Sequence, residues 1–465
     1  MSIQSFLEHA NLLADKFRKT NTPVKIVCHL DTDGLTSSAI LIKALAREKM
    51  KFAHTIFKQL TIERLKELAL EPYKTVIFAD LGSNSLNEIE EILKDKEIYI
   101  LDHHQLQKKE FKDNINILHP ILHDLDGGKD VSSSGVSYLF TKALNQDNIE
   151  NSYIGIIGAI GDIQEHKGFT GLNALILEDV KPYLEITTGL RFFGAHTRPL
   201  HKVLEYSTDP FIPGITGNES ACVSFLETLE IPLLDENGKF RKLVNLTQDE
   251  MRKLSAGVIM KRVNESSPED IFGPIYLLKN QQNESYFKDV REFSTILNSC
   301  GRLNKPSIGI GALLDDENSK QKAVEVMTQY KIELIKGLNW IQEQRKLNNL
   351  IENENFIIIN AENNIRETII GTVSSILSKS NIFPEGTIIL SLAHTIEGNT
   401  KVSARICGYK QHNINLKEVI SIICKDIKAE LGGHEMAAGC SFSQDQDELF
   451  INNAKEYLSS LVITS

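Results

Sequence analysis

In the stretch YILDHHQLQ, residues 99–107, the end of an apolar run that begins at Ile98 (Ile98, Tyr99, Ile100, Leu101) leads straight into Asp102, His103 and His104. Other apolar runs stop in the same way. PVKIVCHL, residues 23–30, leads into DTDG, so that His29, Asp31 and Asp33 lie close together. YKTVIFADLGS, residues 73–83, reaches Asp80, and YIGIIGAIGDI, residues 153–163, reaches Asp162. Carboxylates gathered in a water-poor cleft repel and raise one another's pKa, and bound divalent cations relieve the conflict. A mixed imidazole and carboxylate set suits manganese or another intermediate transition ion, and the lack of thiolates argues against structural zinc. A carboxylate shared by two ions sets them about 3.5–4 Å apart, where they activate a water and steady an in-line phosphoryl displacement. These residues therefore point to a two-metal phosphoesterase. Singly, each has a plainer reading: a lone Asp after a strand is commonly a turn residue or a helix cap. Their joint occurrence favours the metal.

The elements around them say where they meet. PVKIVCHL, YKTVIFADLGS and EIYILDHH (97–104) read as buried strands. TSSAILIKALAREK (36–49), capped at Thr36 or Ser37, and SLNEIEEILKD (85–95) read as helices between them. Strand–helix alternation with short connections predicts a parallel sheet with right-handed crossovers. In such a sheet the functional crevice lies outside the carboxyl ends of the strands. Three successive strands thus deliver Asp31, Asp33, Asp80 and Asp102 with His29, His103 and His104 to one edge. SSSGVSYLFTKAL (132–144) and the 153–163 segment are further buried helices.

The fold class expected is α/β, with domain bounds as follows. A parallel-sheet catalytic domain covers 1–194, a mainly helical insertion 195–290, and a return to the catalytic domain 291–316. A connecting helix (317–353) leads to a smaller α/β domain (354–465), in which LKEVISIICKDIKAEL reads as a helix before GGHEMAAGC. Phe6, Ala10, Leu13 and Phe17 recur at helical spacing, so the N-terminus is expected to be a docked amphipathic helix rather than a signal peptide. No apolar run nears the roughly 18 residues of a membrane span. Six scattered cysteines without a CxxC pair suit a reducing, cytoplasmic setting. A net charge of −11 argues against a protein that coats nucleic acid non-specifically, while leaving room for a local basic groove.

In their order, HLDTDG, ADLGS, LDHH and GAIGD resemble the four motifs of the DHH phosphoesterase superfamily. GGHEMAAGC resembles the glycine-glycine-histidine motif of the DHH-associated domain, and NSCGR (298–302) resembles the end of the catalytic domain in the RecJ exonuclease branch. The SCGRLNKPSIGIGALL wording looks like the archaeal RecJ-like proteins. Of the 465 residues only 31 follow His434, so no appended OB-fold is expected.

The resemblance implies two manganese ions, with magnesium as a substitute. It places one on His29, Asp31 and Asp80, and the other on Asp33, Asp80, His103 and Asp162, with Asp80 bridging. Asp102 would orient an imidazole, His104 would face the scissile phosphate, and Arg302, Arg405, Gly432, Gly433 and His434 would hold substrate. The implied activity is single-strand-specific exonuclease action, 5′ to 3′ on DNA with RNA as a further substrate, in replication or repair. Two other readings go with it: a phosphodiesterase of oligoribonucleotides or cyclic dinucleotides, and a replication scaffold that binds the GINS complex. No membrane partner is expected.

Overall fold

Five apolar runs pair side by side in one parallel sheet: β1 (Val24–His29), β2 (Phe52–Phe57), β3 (Thr75–Ala79), β4 (Glu97–Leu101) and β5 (Ile115–Leu118), in the order β2-β1-β3-β4-β5. Their side chains alternate between two helical layers, as the pleat requires. Val27, Val76, Phe78, Ile98 and Ile100 pack on one face with Leu65, Leu68, Leu86 and Ile89. On the other face Tyr99 meets Phe17 of the N-terminal helix edge to face, with ring centroids 5.0 Å apart. That helix (Ser2–Phe17) buries Phe6, Ala10, Leu13 and Phe17, the stripe its spacing predicted. In this order the chain changes direction across the sheet between β1 and β3, which opens a crevice at their carboxyl ends.

The computed structural model describes residues 2–461 except 166–167, 208–209, 264, 266, 381 and 409–413. They form two compact units, Met1–Met327 and Thr328–Ser465. Within the first, residues from Leu190 to Ile271 build a core of their own around Leu204, Leu226, Leu254 and Val258. An antiparallel pair frames it, Leu184–Leu190 against Phe272–Leu278. The region expected to be mainly helical therefore also contains a strand, whose partner begins before residue 195.

The second unit holds a six-stranded mixed sheet. Its strands run, edge to edge, Glu430–His434, Ala437–Ser443, Asn399–Ile406, Ile388–His394, Phe356–Asn360 and Ile351–Glu352. The Glu317–Lys346 helix ends short of the expected 353 and crosses the boundary between the units.

Two local expectations need correction. The helix after β1 starts at Thr32, capped by Asp31, whose carboxylate accepts from Gly34 N at 3.1 Å. Thr36 and Ser37 are interior, and Thr36 Oγ1 donates back to Thr32 O at 2.8 Å. The segment LKEVISIICKDIKAEL is helical only over Leu416–Ile423. Its end turns into the Glu430–His434 strand, because pairing with Ala437–Ser443 captures those backbone groups.

Candidate metal centre

Each ionisable residue at the sheet's exit edge is placed by the element before it. β1 delivers His29, whose Nδ1 lies 3.1 Å from Asp31 Oδ2 and 3.4 Å from Asp80 Oδ2. Gly34 makes this turn tight enough: a Cβ there would sit 2.3 Å from His29 O. β3 delivers Asp80, buried and in the left-handed region at φ 62°. β4 delivers Asp102, His103 and His104, and the helix that starts at Thr32 holds Asp33, with Asp31 as its cap. His103 Nε2 lies 3.8 Å from Asp33 Oδ2, 3.8 Å from Asp80 Oδ1 and 3.6 Å from Asp162 Oδ2.

His29 Nδ1, Asp80 Oδ2 and His103 Nε2 are buried without a hydrogen-bond partner among the described residues. Their ionisable neighbours lie 3.1–3.8 Å away. Donor atoms that converge without bonding one another are arranged as ligands around a cation, and a buried polar atom left otherwise unpaired is costly. Among the described residues, three groups could hold a cation, with ligand atoms within 4.8 Å of one another: His29–Asp31–Asp80, Asp33–His103–Asp162, and Asp80–Asp102–His103–His104. The two oxygens of Asp80 face different groups, Oδ2 toward His29 and Oδ1 toward His103.

Electrostatics divides these residues into two kinds. Burial, with Asp31 and Asp33 adding repulsion, pushes the Asp80 carboxyl well above its ordinary range. Burial also lifts Asp162 to about 6. Burial works against a charge on His29, but Asp31 and Asp80 outweigh it and push the imidazole up to about 10. Asp102 is the opposite case: despite burial, the imidazoles around it, His104 foremost, hold its carboxyl well below the usual range. It accepts from Ser83 N at 3.1 Å, His103 N at 2.8 Å and His104 Nδ1 at 2.7 Å. A carboxylate so supplied with donors suits orienting more than ligation. It fixes His104, whose half-exposed ring stands at the rim.

Several residues that hold the cluster are not in the expected set. The N-terminus of the Ser133–Leu144 helix grips Asp33: Ser133 N donates to Oδ2 at 2.7 Å and Ser134 N to Oδ1 at 2.9 Å. A helix N-terminus is a natural seat for an anion. The sequence reads 132–144 only as a buried helix, and the carboxylate its first amides serve lies a hundred residues away. His119 Nε2 lies 2.7 Å from His104 O, and His103 Nδ1 lies 2.6 Å from Gly127 O. The latter contact makes Nδ1 the protonated nitrogen and leaves Nε2 for the cage.

The expected substrate residues divide between the units. Arg302 ends the Val290–Arg302 helix, which meets the metal edge where Thr32 Oγ1 donates to Ser294 O at 3.0 Å. Its Nε donates to Asn298 Oδ1 at 3.3 Å. In the second unit Arg405 donates from Nε to Ser375 Oγ at 2.9 Å and from Nη1 to Ala404 O at 2.7 Å. Gly432 and Gly433 belong to a strand, not to the end of a helix. Gly433, at φ 114°, turns so closely that a Cβ would lie 2.4 Å from Ala437 O, whereas Gly432 faces open space. The side chain of His434 lies outside the described residues.

Known proteins share this architecture. Residues 23–159 match the DHH family N-terminal domain, 192–272 the DHH-CID domain and 353–460 the DHHA1 domain. The chain belongs to the DHH superfamily and has a RecJ-like fold. An uncharacterized protein of Methanocaldococcus jannaschii is 28% identical over 447 residues, which cover 94% of this chain and 93% of that one. Three solved structures share the fold over 98% of the chain: RecJ from Thermus thermophilus in complex with Mn2+ (TM-score 0.62, 16% identity), exonuclease RecJ bound to manganese (0.59, 16%) and CDC45 from Entamoeba histolytica (0.62, 11%). The match spans 55% of the Thermus protein, 95% of the second RecJ chain and 99% of the CDC45 chain. No helix among the described residues is long and apolar enough to cross a membrane.

Proposed function

We propose that this chain is a manganese-dependent exonuclease that hydrolyses single-stranded DNA from its 5′ end and also accepts RNA, in replication or repair. The observation that carries the reading is Asp80, whose two oxygens face separate cages. His29, Asp31 and Asp80 would hold one divalent ion; Asp33, Asp80, His103 and Asp162 would hold the other. Bound there, the pair supplies an activated water and charge stabilisation for phosphodiester cleavage. The chain's own contribution is to present His104, held by Asp102, to the phosphate side of the site. Arg302, Arg405 and the Gly432–Gly433 backbone would hold nucleotide phosphates, since a guanidinium fork binds two oxygens at once. The likeness to manganese-bound exonuclease RecJ supports the choice of ion and reaction.

The test is digestion of DNA and RNA strands labelled at either end, with manganese or magnesium, by the wild type and Asp80→Ala. Shortening from the 5′ label in manganese, absent in the variant, is the expected result. Cleavage retained by Asp80→Ala would refute the assignment, and faster turnover of dinucleotides than of long strands would favour the small-substrate alternative.

The likeness to CDC45 supports a second reading, a replication scaffold that binds GINS through the 192–272 region. Leu234, Phe240 and Val244 there are exposed, which suits a protein-facing surface. Co-purification of GINS with a metal-dead variant tests it.

A further inference from the structure

We infer that Gln164, oriented by Asn173, is the positioning residue of the cage formed by Asp33, His103 and Asp162; the inference rests on the two-ion reading. Gln164 is 2% exposed and lies two residues after Asp162. Its Nε2 donates to Asp162 Oδ2 at 2.8 Å, to Gly127 O at 2.8 Å and, more loosely, to Val131 O at 3.2 Å. Gly127 O is also the acceptor that sets the His103 tautomer. One amide therefore ties together an oxygen of one ligand and the anchor of another.

Its orientation is dictated by chemistry. Three acceptors surround Nε2, so a flipped amide would set oxygen against oxygen. Asn173, fully buried, donates from Nδ2 to Gln164 Oε1 at 2.7 Å and holds the amide the right way round.

The backbone shows an independent sign of the same placement. The Ser152–Gly161 helix ends in a Schellman turn: Ile163 N donates to Ile160 O at 3.1 Å and Gln164 N to Ala159 O at 3.0 Å. The left-handed position, usually glycine, is Ile163 at φ 59°. A β-branched residue is strained there, and at 76% exposure it has little packing to compensate. The turn nevertheless aims Gln164 back beneath Asp162. Partners that orient metal ligands typically change metal affinity 10- to 100-fold when removed.

The experiment titrates Mn2+ into the full-length protein, followed by the electron paramagnetic resonance of free manganese and by calorimetry. Wild type is expected to bind two ions. Gln164→Met, which keeps the length but loses the donors, is expected to weaken one of them by about tenfold or more while the other is unchanged. Asn173→Asp, which sets an oxygen against Gln164 Oε1, should weaken the same ion and carries the test if Gln164→Met melts lower without metal. Nuclease activity should follow: more manganese is needed for half-maximal rate, and kcat recovers at saturation, which a merely structural defect would not allow. Two ions bound with wild-type affinity by both variants would overturn the inference alone. A wild type that binds no manganese would overturn the two-ion reading as well.

Discussion

The exit edge of the first sheet carries the expected metal ligands and the glycine-rich hairpin of the second unit carries expected substrate residues, and the two regions are built on opposite plans. At the sheet edge, charges are buried among like charges and several polar atoms have no hydrogen bond among the described residues. In the second unit the Arg405 guanidinium is supported by Ser375 and Ala404, and the hairpin is exposed around Gly432 and Gly433. The first arrangement suits a bound cation, and the second suits recognition. Interactions of the first kind should control kcat, those of the second KM.

Breaking the edge should have the largest effect. Asp80→Asn removes the shared carboxylate, and the rate of strand hydrolysis should fall on the order of 10³-fold or more. The same change should raise the melting temperature of the metal-free protein at neutral pH. An acid whose pKa is raised by folding destabilises the fold once ionised, above its unfolded value near ~4. Calorimetry without metal checks the sign.

Gly34→Ala should come next. Its Cβ meets backbone, the His29 carbonyl at 2.3 Å, so no side chain can swing aside. Overpacking of this kind costs about 1–3 kcal/mol, and urea unfolding together with manganese titration should show lost stability and weakened binding.

Acidity offers a milder perturbation. Without metal, His29 keeps its proton up to about 10 and Asp162 up to about 6. Ligands must be deprotonated, so manganese affinity should rise with pH, by about tenfold per unit for each proton displaced. Calorimetry in buffers of different ionisation enthalpy should detect proton release at neutral pH. The smallest effect belongs to the second unit. Arg405→Ala should raise KM for a labelled strand by about tenfold, with kcat and manganese affinity unchanged. A fall in kcat instead would erase the contrast between the two regions.

The legible parts of the protein are those written in local pattern. β1, β3 and β4 stand out because fully buried apolar runs stop at ionisable residues. β2 has no such signature, since every residue of FAHTIF is only half-buried at the sheet's margin. Leu184–Leu190 is largely exposed and exists through its pairing with Phe272–Leu278. The run from Leu416 carries a helical stripe past its true end, and a neighbouring strand overrides the propensity.

Sequence alone determined which acids and imidazoles end the strands, because burial of a strand and its chemistry at the exit are both matters of adjacent residues. Tertiary structure decided which oxygen of Asp80 faces which cage, that two serine amides clamp Asp33, and that Gln164 reaches Gly127 and Asn173. Ser133 is a hundred residues from Asp33, and Gln164 is 37 from Gly127. Such pairings depend on how helices and loops close over the sheet, and hydrogen-bond direction at that range leaves no periodic trace along the chain.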